Sequence, residues 1–189
     1  MRAFTKEEIR DIIISILTVT LIFSFPDLRD TFFTLFIVVV LSFFIHEMGH
    51  KLMARRLGCM ATYKLWPVGI LFGLVSMFLK VIGGFVIIAP GYVEIMPYTF
   101  GRWGLRVIRL TPRDMGLIAL AGVGVNVFFA VFFSFFTGGF FRTLSHMNAV
   151  LSIFNLLPVP PLDGVKIFTW NMWLWLFLFL TSGIILIAL

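Results

Sequence analysis

Long apolar runs separated by short charged loops are what most constrain this chain. They occupy residues 12–25, 32–53, 65–89, 116–136, 146–157 and 165–189, and a helix needs about 20 apolar residues to cross the hydrocarbon of a bilayer. No water-soluble globule of 189 residues hides a sequence that is 60% hydrophobic and only 13% charged, against the roughly 25% charged residues of soluble domains. The expectation is an all-α, polytopic membrane helix bundle of about five or six spans, a single membrane-embedded domain over residues 1–189. The last run reaches the final residue, which carries an expectation of further C-terminal sequence in the native chain.

Charge and punctuation give the runs a direction. The net charge of +6 resides in short loops between apolar segments, where Lys and Arg set membrane orientation rather than bind nucleic acid. The first run is followed by Pro26-Asp27-Leu28-Arg29-Asp30 and not by a small-residue cleavage pattern, so it reads as a retained helix. The third run is broken by Pro67, Gly69, Gly73 and the pair Gly83-Gly84. If it crossed once, the loop with Lys51, Arg55, Arg56 and Lys64 would face away from the loop with Arg102, Arg106, Arg109 and Arg113. A membrane-entering segment that returns near 65–96 instead places 12 basic residues on the cytoplasmic side and only Arg29 and Arg142 outside, with Lys80 inside the segment. Irregular backbone at that depth has to pack on protein or line a wet cavity. Ala119, Ala121, Gly122 and Gly124 in the fourth long run suit close helix approach. Cys59 is the lone cysteine, which excludes internal disulfides and a Cys-rich zinc site.

His46-Glu47-Met48-Gly49-His50 is H-E-x-x-H. On a helix its i, i+4 spacing puts both imidazoles on one face, as two nitrogens sharing one zinc ion require. Glu47 between them is placed to take a proton from water activated by the ion. Ionisable groups at membrane depth are costly and default to function, against the plainer reading of a structural polar cluster. Such a site needs a third protein ligand and an open fourth position. Glu94, Asp114, His146 and Asp163 are the candidates. Asp163 is favoured because it follows Pro158, Pro160 and Pro161, which forbid regular helix and suit a cavity wall; the plainer alternative is that it caps the helix starting near Val165. The returning segment also brings Asp163 to the same membrane level as the histidines.

These residues together resemble the site-2 protease family of intramembrane zinc metalloproteases. The resemblance rests on H-E-x-x-H and on the N-x-x-P-x-x-P-L-D-G run from Asn155 to Gly164, in that order, and covers about residues 32–164. It implies that His46, His50 and Asp163 bind one Zn2+, that Glu47 is the catalytic acid/base, and that Asn155 holds the substrate or the developing oxyanion. Ala121-Gly122-Val123-Gly124-Val125-Asn126 is similar to the family's A-G-P-x-x-N pattern, with Val123 in place of Pro, and implies a substrate contact for Asn126. The expected activity is cleavage of a peptide bond within or near a transmembrane segment of another protein, by a multi-pass enzyme of the cell membrane whose site opens toward the cytoplasm. The expected partners are therefore a membrane-spanning protein substrate and the lipid bilayer.

Two rival classes use the same residues. A metal or ion transporter is expected to show paired broken helices in two related halves, whereas a single ionisable cluster occurs here; a catalytically silent scaffold has no need of Glu47. His146 and Trp170, Trp173 and Trp175 read as interfacial residues, Lys80 as a snorkelling one and Cys59 as a site without support for lipidation. The topology is checked by single cysteines at positions 80 and 106 in a Cys59-free background. Position 106 is expected to react with an impermeant thiol reagent from the cytoplasmic side only; labelling from the opposite face means a single crossing at 65–89.

Overall fold

A computed structural model describes residues 4–83, 86–87, 89–101 and 104–189, and only the backbone at positions 99–101, 105 and 106. Arg2, Gly84 and Arg102, which entered the sequence reading, lie outside the described residues, as does the side chain of Arg106. The molecule is mostly helical. The first run becomes α1 (Lys6–Ser24), opened by a capping box in which Thr5 Oγ accepts from the Glu8 amide at 3.1 Å and the Glu8 carboxylate accepts from the Thr5 amide. The second becomes α2 (Leu28–Arg56), 29 residues long.

The all-α expectation is corrected by two small antiparallel sheets. β1 (Met60–Leu65) and β2 (Gly91–Met96) flank α3 (Pro67–Val81) and pair from Met60 opposite Met96 to Leu65 opposite Gly91. β3 (Tyr98–Gly101) and β4 (Gly104–Val107) form the second pair. Pro67 is tolerated at the first turn of α3 and starts that helix directly after β1. Extended backbone has its N–H and C=O groups satisfied by pairing with a neighbouring strand. Leu65 and Gly91 are ladder partners, so the 65–91 excursion starts and finishes at one place, with α3 as its outgoing limb. Lys80 has a fixed job in it: its ammonium donates to the Phe23 and Phe25 carbonyls at 2.7 and 2.8 Å, closing the C-terminal end of α1.

Beyond the sheets run α4 (Pro112–Ser134), α5 (Gly139–Leu156), α6 (Asp163–Trp170) and α7 (Met172–Ala188). The fifth apolar run is longer than its hydropathy suggests: α5 starts after a turn at Gly138 (φ 117°), and His146 sits within it rather than at its start. The last run is two helices, not one, because the extended backbone of Asn171 breaks it and the Asn171 side chain caps α7 by accepting from the Leu174 amide at 3.0 Å. Trp175 Nε1 donates to the Leu156 carbonyl at 2.6 Å and Trp170 packs on Gly116, so both hold the bundle together, while Trp173 stays 73% exposed. Among the described residues, α2 and α4 are long and apolar enough to cross a bilayer; α3 and α7 are apolar but shorter.

α1 lays an unexpected polar face against β1. Glu8 accepts from the Tyr63 amide at 2.9 Å and from the Lys51 ammonium, Asp11 accepts from the Leu65 amide at 3.3 Å, and Ser15 shares a hydrogen bond with the Tyr63 hydroxyl at 2.7 Å. Their i, i+3, i+7 spacing is one helix face, and the acids take the strand amides that β2 does not use. Nearby, Cys59 is 3% exposed, and burial pushes its thiol above the usual range. Cys59 is accordingly expected to resist maleimide in the folded protein and to react in denaturant; fast labelling of the native protein contradicts this packing.

Candidate metal centre

The site is built on the one helix that carries both histidines. In α2, His46 and His50 stand one turn apart, and their Nε2 atoms lie 3.0 Å from each other. Asp163, the first residue of α6, reaches them from the far end of the Pro158–Leu162 loop, its Oδ2 lying 2.9 Å from His50 Nε2 and 3.6 Å from His46 Nε2. All three residues are buried. The helix N-cap of α6 is Leu162, and its side chain makes no cap bond, so the plain capping reading of Asp163 does not describe this structure.

The donor set fits a divalent metal. His50 Nδ1 lies 2.8 Å from the Ile118 carbonyl, which can only accept, so that nitrogen carries the proton and Nε2 presents its lone pair. A carboxylate oxygen and a second imidazole nitrogen face the same point, and three electron-rich atoms in a buried place repel unless a cation or proton sits among them. The three candidate ligand atoms lie within 4.8 Å of one another. Tetrahedral zinc with bonds of about 2.0–2.1 Å needs ligand atoms about 3.3 Å apart, and the observed separations of 2.9, 3.0 and 3.6 Å straddle that figure.

The other third-ligand candidates are elsewhere. Glu94 faces Lys64 at 3.7 Å on the surface, Asp114 is occupied in the cap of α4 with Thr111, and His146 is exposed on α5. Glu47 is buried beside the histidines, and its Oε2 has no hydrogen-bond partner among the described residues. A small pocket is lined by His46, Glu47, His50 and Asp163, by Asn155, Pro161 and Leu162, and by Gly91, Tyr92 and Val93 of β2. Asn155 thus reaches the site, tethered by one amide hydrogen to the Leu151 carbonyl at 3.0 Å. Asn126 does not line it: this residue is fully buried in α4, with neither amide atom bonded among the described residues.

Three contributions escaped the sequence reading. The carbonyl of Ile118 orients His50, and only the packing of α4 on α2 supplies it. That packing depends on Gly49 against the Ala121 carbonyl and on Gly122 against the His50 ring, positions where a Cβ would overlap its neighbour; the small-residue stripe signalled close approach but not its target. The third is the outer edge of β2. Trp66 donates to the Pro90 carbonyl at 2.8 Å and Tyr63 donates to Glu8 instead of β2, which sets the ladder phase. Gly91, Val93 and Ile95 therefore turn their N–H and C=O groups away from β1, and the first two face the cavity.

Comparison with known proteins agrees with this geometry. Residues 34–142 match the family model for peptidase family M50, a stretch that holds His46, Glu47, His50 and Asn126 but ends before Asn155 and Asp163. A protein of Methanocaldococcus jannaschii carrying the provisional name of zinc metalloprotease is 35% identical over 182 residues, which is 91% of this chain and 88% of that one. No solved structure matches.

Because Gly122 shapes the seat of His50, Gly122→Ala is expected to weaken metal affinity by roughly tenfold or more and to destabilise the fold by about 1–3 kcal/mol through overpacking. Competition with a chelating dye measures the first and thermal unfolding in detergent the second. Unchanged affinity would mean that the imidazole is not held by α4.

Proposed function

The chain belongs to peptidase family M50, the site-2 protease family, and from that membership as a membrane metallopeptidase we propose that it is an intramembrane endopeptidase using one zinc ion. In this reading His46, His50 and Asp163 hold the ion, Glu47 is the acid/base, and the substrate is a transmembrane segment of another protein. The observation that carries it is the meeting, in one pocket, of a buried carboxylate without a partner among the described residues, two imidazoles and an aspartate, from two stretches of sequence more than a hundred residues apart. The enzyme is read as one multi-pass domain of about five or six spans, with residues 65–96 entering the membrane and returning. The histidine end of α2 and the loop before Asp163 both open toward the cytoplasm, from which water enters.

When bound, the ion supplies Lewis acidity to a scissile carbonyl. Glu47 takes the proton of the attacking water and returns it to the leaving amine, a role that suits a carboxylate with no competing internal donor. Asn155, with its remaining amide groups beside the cavity, holds the substrate carbonyl. A substrate helix has to unwind first, since its carbonyls are engaged in i, i+4 bonds. The freed backbone cannot find partners in lipid. The open edge of β2 at Gly91 and Val93 supplies them, so the substrate lies extended beside the ladder. Asn126 is buried in α4 and is not among the residues that line the pocket in the state described, so its expected substrate contact is not part of the proposed mechanism.

The test compares wild type with Glu47→Gln on a helical reporter substrate, in purified form and with metal content measured. Glu47→Gln is expected to keep the metal and lose roughly 10²–10⁴-fold in cleavage. Equal cleavage by both proteins removes Glu47 from the mechanism. Metal held by a wild type that cleaves no substrate favours transport or a scaffold.

A further inference from the structure

Asp163 has two carboxylate oxygens, and only one faces the imidazoles. Oδ2 makes both histidine contacts, while Oδ1 accepts from the Lys166 ammonium at 2.9 Å. Lys166 lies three residues on in α6, so helix geometry keeps the two side chains on one face. The pair is not an ordinary surface contact: the side chains of Asp163 and Lys166 are 8% and 18% exposed, and the carboxylate is the same one that completes the metal-ligand cluster.

A catalytic zinc site functions with three protein ligands and one open position. A carboxylate whose second oxygen is free can swing it onto the ion and fill that position. A cation fixed on the second oxygen opposes the swing, because engaging the metal would mean giving up a short charge-assisted bond in a poorly solvated place. Lys166 is suited to this as a compact point charge with three donors.

We propose that Lys166 is a positioning residue that confines Asp163 to metal coordination through Oδ2 alone and so keeps one coordination position open for the reaction. The inference rests on the reading of His46, His50 and Asp163 as the metal site. It assigns Lys166 no contact with substrate.

Cobalt(II) reports coordination number through the intensity of its visible absorption, independently of turnover. Purified protein is stripped with chelator and titrated with Co2+, for wild type, Lys166→Met and Lys166→Arg. Wild type is expected to give the intense band of four-coordinate cobalt. Lys166→Met is expected to give a weaker band of higher coordination number, with affinity altered by roughly 10–100-fold. Lys166→Arg, which retains a charged donor, is expected to keep the wild-type band. Should Lys166→Met fail to fold, Lys166→Gln is read in the same way. A wild-type band and affinity in the neutral variant overturns the role of Lys166 while leaving the metal site intact; failure of wild type itself to bind cobalt overturns the metal site, and this inference with it.

Discussion

Three electron-rich atoms held within about one zinc coordination sphere, in a part of the chain that water barely reaches, are the constraint around which this molecule is organised. Two imidazoles and a carboxylate pressed together without a cation or proton between them repel, and burying them costs several kcal/mol. The fold accepts that cost by fixing two of the three candidate ligands from outside. His50 is oriented by the Ile118 carbonyl and walled by Gly122; Asp163 is anchored on its other oxygen by Lys166. Rigid ligands around an incomplete coordination shell are what a Lewis-acid site requires, since flexible ones would close over the position where chemistry occurs.

The same economy governs the surroundings. α2 carries the two histidines and, one residue past His50, Lys51, whose ammonium meets Glu8. Glu8 in turn takes the Tyr63 amide and closes the cap of α1. One buried carboxylate therefore ties α1, α2 and β1 to each other. Because β1 is ladder partner to β2, that tie also sets how far the open edge of β2 stands from the histidines.

Much of the site was legible because its chemistry is local in sequence. H-E-x-x-H specifies a helix face by its own period, and the proline-rich approach to Asp163 marks irregular backbone with an acid that needs a partner. The returning segment was legible too, from loop charge and from Pro67 and the glycines. Less visible were elements whose signals are shared between structures. Residues 60–65 and 91–96 are short and mix apolar with polar side chains, and such runs do not announce whether they will be strand or helix until a partner is found. Hydropathy merged α6 and α7 because Asn171 is one polar residue in a long apolar stretch, and it missed the first half of α5 because Arg142 and His146 interrupt it. The role read for Asn126 followed a motif, while the helix rotation that buries it is a property of packing.

By itself the sequence determined that the chain belongs in a membrane, that one helix bears two imidazoles and a carboxylate, and that a distant aspartate in broken backbone is available to join them. These follow from composition and short-range spacing, which act wherever the chain is. Tertiary structure alone decided that Asp163 and not Glu94, Asp114 or His146 reaches the histidines, that Ile118 stands behind His50, and that the outer edge of β2, without a strand partner among the described residues, lies beside the pocket. Those outcomes depend on contacts between residues tens of positions apart, and their energies come into being only when the helices have closed on one another.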